Sequence, residues 1–186
     1  MDKDVSAGSG ITTVAGRLAL GITLLAFGLG HTAVIDGVSA ADAVSVAQYV
    51  GGIALFVAGL VALREGDAAG GTAFSVLGAL WFTWAVSAEA AGHAAGLFLL
   101  LFALVVLSLT VAGGDQLGRA TYGLFFVSLL LLALGSFADN GSLAKVGGWF
   151  AVAAGAVAWY AATAAPAHWP TALPRRAAGR GVTATG

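Results

Sequence analysis

Three ionisable side chains, His31, Glu89 and His93, fall near the ends of apolar stretches, on what the pattern makes one side of the molecule. Histidine changes charge near neutral pH, so together they would form a titratable vestibule that exchanges protons. The alternative is that each is simply solvated where an apolar segment ends. Two histidines and a carboxylate are metal ligands by type, but their spacing matches no metal-binding motif. The chain has no cysteine, which removes disulfides, thiolate nucleophiles and thiolate metal sites. It has no glycine-rich phosphate loop followed by lysine and no arrangement suited to a hydrolase triad, so no enzyme and no cofactor is specified. The remaining polar groups are mild: Thr23, Gln48, Thr72, Ser75, Thr83, Ser87, Ser108 and Ser128 occur singly among apolar residues. A hydroxyl can bond back to its own helix carbonyls, so each alone says little. Collectively they suit a narrow, mostly apolar passage for a small solute, not a water-filled ion channel.

The elements that must position these groups follow from composition. Hydrophobic residues make up 59% of the 186 and charged residues 9%, with a mean hydropathy of +0.94. Soluble domains average about 25% charged residues, so this chain cannot build a water-exposed surface. A net charge of −1 also argues against nucleic acid as a partner. Six apolar stretches remain once short polar patches are removed, each long enough to cross a bilayer core of about 30 Å. The pattern predicts helices over Val14–Ile35, Ala43–Leu63, Gly71–Ala90, Ala94–Ala112, Leu117–Ala138 and Leu143–Ala164. The expected organisation is an N-terminal tail (1–13), an all-α six-span domain (14–164) and a flexible C-terminal tail (165–186). The first stretch reads as a retained anchor, not a signal peptide.

Basic residues are retained on the cytoplasmic side. With both termini inside, seven of the eight basic residues lie in the cytoplasm and only Lys145 lies opposite. A multi-pass inner or plasma membrane protein with cytoplasmic termini is therefore expected. The helix centres carry no Asp, Glu, Lys or Arg. Arg17, Arg119 and Lys145 lie near helix ends, within reach of headgroups.

Glycines punctuate the spans: Gly51, Gly52 and Gly59 in the second, and Gly147, Gly148 and Gly155 in the sixth. Small residues let helix backbones approach in lipid. The two sets are related by a shift of 96 residues, and Gly66-Asp67 with Gly70 recurs as Gly114-Asp115 with Gly118 at a shift of 48. Three parallel helical hairpins would give that spacing, although glycine is common enough here for coincidence.

Several of these segments resemble the acetate uptake transporters, the YaaH-type acetate/succinate–proton symporters of bacteria and fungi. Gly51-Gly52-Ile53-Ala54, Ala58-Gly59-Leu60 and Arg64-Glu65-Gly66 resemble that family's second helix. Gly70, Thr72-Ala73-Phe74, Gly78 and Trp81 follow its third-helix pattern, G-x-T-A-F-x-x-x-G-x-x-W. Phe125-Phe126 and Leu132-Ala133 with Gly135 resemble its fifth helix. Gly148-Trp149, Gly155-Ala156, Ala158 and Tyr160 resemble its sixth. The resemblance implies a homohexamer with one narrow pore per protomer, carrying acetate or succinate with a proton. It makes Gly51, Gly52, Gly59, Gly78, Gly148, Trp149 and Gly155 helix-packing positions. It puts the pore constriction at Leu77 and Leu129, where the family has Tyr and Leu, with Phe27 the only aromatic available from the first helix. The family's Asn-Pro-x-Pro-Leu-Gly-Leu signature is absent, since no proline precedes Pro166. A channel for urea, ammonia or water, or a non-transporting scaffold with the same fold, are the alternatives.

Overall fold

The computed structural model of the protein describes residues 10–87, 93–112, 114–164 and 166–170. Six helices are long and apolar enough to cross a membrane: α1 (Ile11–Thr32), α2 (Ala40–Arg64), α3 (Ala68–Val86), α4 (His93–Ala112), α5 (Gln116–Phe137) and α6 (Gly141–Ala164). Among the described residues there is no strand.

Capping side chains set several boundaries and explain why the helices begin earlier than the hydropathy pattern alone places them. Asp67 accepts from the Gly70 amide at 2.9 Å and opens α3, and Asp115 accepts from the Gly118 amide at 3.2 Å and opens α5. An acceptor there satisfies an amide that the helix itself leaves orphaned. Asn140 Oδ1 accepts from the Ser142 and Leu143 amides just ahead of α6. At the start of α2 the Asp42 carboxylate takes both the Ser39 amide and the Ser39 hydroxyl, at 2.7 and 2.8 Å. α1 ends at Thr32, short of Ile35, because Ala33 turns left-handed. α2 begins as a short 3₁₀ turn and carries a π-helical stretch at Ala47–Ala54 before resuming α geometry. Residues 166–170 fold back on α6, with Tyr160 donating to the Pro170 carbonyl at 2.7 Å and Trp169 stacked on its ring. Residues 171–186 lie outside the described residues.

Around the bundle, α2 packs on α3 and on α1, α1 on α6, α6 on α5 and α5 on α4, while α3 and α4 meet only weakly and close the ring. Glycines make two of these contacts possible. A Cβ on Gly78 would lie 2.6 Å from the Phe56 backbone nitrogen, and one on Gly52 would lie 3.0 Å from Phe82 Cβ; one on Gly59 would collide with the Ser75 backbone. On the α1–α6 side, a Cβ on Gly148 would meet the Gly28 carbonyl and one on Gly155 the Gly21 carbonyl, both at 2.9 Å. Trp149 does not share this packing, being 51% exposed on the outer surface. The 96-residue shift seen in the sequence therefore carries the α2–α3 contact onto the α6–α1 contact. The 48-residue shift carries one Asp cap onto the next, each preceded by a glycine with positive φ (Gly66 +88°, Gly114 +107°). An apolar groove between α2 and α3, lined by Ile53, Phe56 and Phe82 among others, opens on the outside of the ring, away from its interior.

Candidate functional site

The side chains that α1 sends into the ring recur at three- and four-residue steps: Arg17, Leu20, Leu24, Phe27 and His31. Leu20, Leu24 and Phe27 are fully buried, so the stripe is ionisable at its two ends and apolar between. α3 and α5 present matching stripes from their Asp caps. On α3 these are Phe74, Leu77, Trp81 and Trp84; at the same distances past Asp115, α5 presents Tyr122, Phe125, Leu129 and Leu132.

Rings from four helices meet at the middle of this interior. Trp81 lies 5.1 Å from Phe27 and 5.6 Å from Phe102, both edge-on, and stacks on Phe125 at 5.5 Å. Phe125 also meets Phe102 edge-on at 5.4 Å, and Trp84 meets Phe27 at 5.2 Å. Such edge-to-face contacts are favourable for quadrupolar rings and add to the gain from burial. Trp81, Phe125, Leu77 and Leu129 have no solvent exposure, so the interior is closed at this level. Gly51, in the π-helical stretch of α2, admits Thr23 and Trp81 beside its backbone; a Cβ there would lie 3.1 Å from the indole and closer still to Thr23.

Two polar atoms in this buried region have no hydrogen-bond partner: the Trp81 indole nitrogen and the Ser128 hydroxyl. Leaving such an atom unpaired costs about 1–3 kcal/mol. Ser75 Oγ, pressed against Gly59, is a third such atom. The hydroxyls of Thr23, Thr83 and Ser108, by contrast, bond back to Ala19, Ala79 and Leu104 on their own helices. These three add little polarity to an interior.

The ends of the ring are polar. At one end, Arg17 Nη2 donates to Asp115 Oδ1 at 2.6 Å. Thr12 donates to Glu65 at 2.9 Å and Thr13 to Asp67 at 3.4 Å beside it. Arg17 lies almost two turns inside α1, farther than its sequence position relative to the predicted Val14 start indicated, yet it reaches back to the α5 cap. At the other end, the His31 ring packs against Phe27 at 4.4 Å and its Nδ1 bonds the Phe27 carbonyl at 2.8 Å. Nδ1–H donates in that bond, which leaves Nε2 as the nitrogen free to take up or release a proton.

The residues singled out from sequence are thus only partly brought together. Phe27, Leu77 and Leu129 all join one buried cluster. Leu77 lies one turn before Trp81, Leu129 lies one turn after Phe125, and the residue matching Leu77 on α5 is Phe125. His93 stands exposed at the start of α4 with Phe137 as its aromatic neighbour, a different one from that of His31. Glu89 lies outside the described residues. Trp81, Phe102 and Phe125 form the centre of the buried ring cluster; of these, the family-like helix patterns include Trp81 and Phe125 but not Phe102. The third-helix pattern ending in Trp81 was the signal that marked one of them.

The sequence profile of the GPR1/FUN34/yaaH family matches residues 10–171. The chain belongs to that family. No curated protein matches it individually. Among solved structures, a bacterial acetate channel, SatP, is similar in fold with a TM-score of 0.76 and 24% sequence identity, covering 89% of this chain and 98% of that one. The shared architecture is the six-helix ring. Six helices long and apolar enough to cross a membrane, in a chain of the GPR1/FUN34/yaaH family, make this a multi-pass membrane protein.

Proposed function

We propose that the protein conducts a small carboxylate, acetate or succinate, through the interior of each protomer, in step with a proton. The observation that carries this reading is the distribution of polarity along the interior. Among the described residues, charged and imidazole groups of the interior stand at its two ends, Arg17 and His31, and between them lie apolar rings with two unpaired donors, Trp81 Nε1 and Ser128 Oγ. Burying a bare carboxylate among leucines and aromatic rings costs several kcal/mol, whereas the protonated acid is neutral and carries one donor and acceptors of its own. The apolar constriction runs from Leu77 past Trp81 and Phe125 to Leu129, with Phe27 against it. Movement of these rings admits the acid, and an apolar neck excludes water and ions while closed. His31, beside Phe27 at the far end of the interior, is the group proposed to exchange the proton. We further propose a homohexamer, as the sequence resemblance implies, and cytoplasmic termini in an inner or plasma membrane, a reading supported by the placement of basic residues.

Labelled acetate uptake into proteoliposomes, with and without an inward proton gradient, tests the reading. Uptake above protein-free vesicles, enhanced by the gradient, is expected; none under either condition overturns it. The same unpaired donors and uncharged centre would also suit an uncharged solute such as urea. Stopped-flow shrinkage in urea, ammonia and acetate separates that reading, and an absence of flux for all three would leave a scaffold.

A further inference from the structure

α1 and α5 are not neighbours on the ring, because α6 lies between them. A bond joining them therefore crosses the interior, and two contacts do so. One is the Phe27–Phe125 ring contact at 6.5 Å within the central cluster. The other is the Arg17–Asp115 ion pair, at a height about 15 Å away along α1 from Phe27. Among the described residues it is the only ion pair in the protein.

The geometry of this pair is that of a partner held loosely. Arginine offers five N–H donors in a planar fork matched to a carboxylate, and here a single one, on Nη2, is engaged. The Arg17 side chain is 26% exposed and that of Asp115 48%, and exposed ion pairs are weakly held. Asp115 does not depend on Arg17 for its own place, since its other oxygen, Oδ2, caps α5 through the Gly118 amide. The Asp115 Oδ1 can thus release the guanidinium while the helix stays capped. Thr13 and Asp67 border the pair on the α3 side, and Thr12 is already committed to Glu65.

We propose that Arg17 is a binding residue for the carboxylate of the transported acid at this mouth, and that Asp115 is its built-in competitor. The solute takes the guanidinium as Asp115 lets go, which turns a closed polar crossing into a loaded one. This rests on the transport reading above and adds to it a named anion site outside the apolar neck. The site accounts for how an acid that is mostly ionised in water is gathered before entering an interior that accepts only its neutral form.

Two measurements on the full chain test the site independently of flux. Acetate binding is read in detergent micelles by line broadening of carbon-13 acetate, and permeability in proteoliposomes is compared for acetate and its uncharged isostere, acetamide. Losing a charged hydrogen bond weakens the complex about tenfold or more, so Arg17→Gln is expected to raise both the acetate Kd and the KM by that factor. Asp115→Asn keeps an N-capping side chain, removes the competitor and is expected to lower both. Acetamide permeability is expected to stay unchanged in both variants, and Arg17→Lys to fall between wild type and Arg17→Gln. Arg17→Gln binding acetate as tightly as wild type would overturn the proposal. So would parallel loss of acetate and acetamide flux, the sign of a merely structural pair. If the wild type binds acetate through Arg17 but moves none, the transport reading fails and the site stands. If it moves acetate while Arg17→Gln leaves Kd and KM unchanged, the site fails and the transport reading stands. A wild type that neither binds nor moves acetate overturns both.

Discussion

Substituting alanine at Gly78 isolates the contact on which the position of Trp81 depends. The added Cβ would lie 2.6 Å from the Phe56 nitrogen and 2.7 Å from its Cα and Cβ, whereas ordinary contact begins near 3.4 Å. α2 and α3 must therefore part by about 0.8 Å, since the obstructing atoms belong to a backbone that has no rotamer to change. Overpacking of this kind costs about 1–3 kcal/mol. Gly141→Ala provides the control, because nothing lies within 4 Å of a Cβ there. Titration of the purified protein with a denaturing detergent should show Gly78→Ala unfolding earlier by that amount and Gly141→Ala unfolding with wild type. Trp81 follows Gly78 by less than a turn, so the displaced helix also shifts the indole against Phe27 and Phe125. Acetate flux should change in Gly78→Ala alone. A Gly78→Ala protein as stable as wild type would refute the close α2–α3 approach, and with it the placing of the aromatic cluster.

Other consequences are open to direct measurement. Protein-dependent acetate flux at fixed total acetate should rise about tenfold for each pH unit lowered across the neutral range, following the neutral fraction of a carboxylic acid; a flat profile would mean that the anion itself passes. Ser128→Ala removes a buried hydroxyl without a partner and is expected to stabilise the protein by about 1 kcal/mol while slowing acetate, measured by the same unfolding and flux assays. Trp81→Phe keeps a ring in the stack and removes only the unpaired N–H, so lower acetate flux with near-native stability is expected. Asp67→Ala deletes the α3 cap and should cost about 0.5–2 kcal/mol, read as an earlier unfolding midpoint.

Hydropathy made the six spans legible, because twenty apolar residues in succession admit few other structures. The glycine pairs were legible as well, and the repeat shifts they suggested correspond to repeated contacts in space. Span boundaries were less so. Asp67, Ser39 and Asn140 are polar and read as loop, yet each caps a helix that starts beside it, so the helices reach three residues or so farther toward their N-termini. Leu77 and Leu129 were chosen by likeness to a family pattern, and both lie in the buried cluster with Phe27. That the rings of Trp81, Phe102 and Phe125 converge beside them depends on helices distant in sequence, which nearby residues do not reveal. Arg17 was taken for a headgroup-seeking residue. Its partner is 98 residues away in sequence, and no local pattern announces such a meeting.

The π-helical stretch of α2 constrains how this chain can change length. An α-helix turns about 100° per residue and a π-helical turn rather less, so the wide turns from Ala47 to Ala54 take up an extra residue while the helix beyond keeps its facing. Removing one residue inside this stretch, with return to regular pitch, would leave Gly59 against Ser75. The same removal between Leu55 and Gly59 has no wide turn to absorb it and would swing Gly59 away from α3 by roughly 100°. Chain length in α2 can therefore change by one residue within the π stretch without loss of the seam with α3, and nowhere just downstream of it.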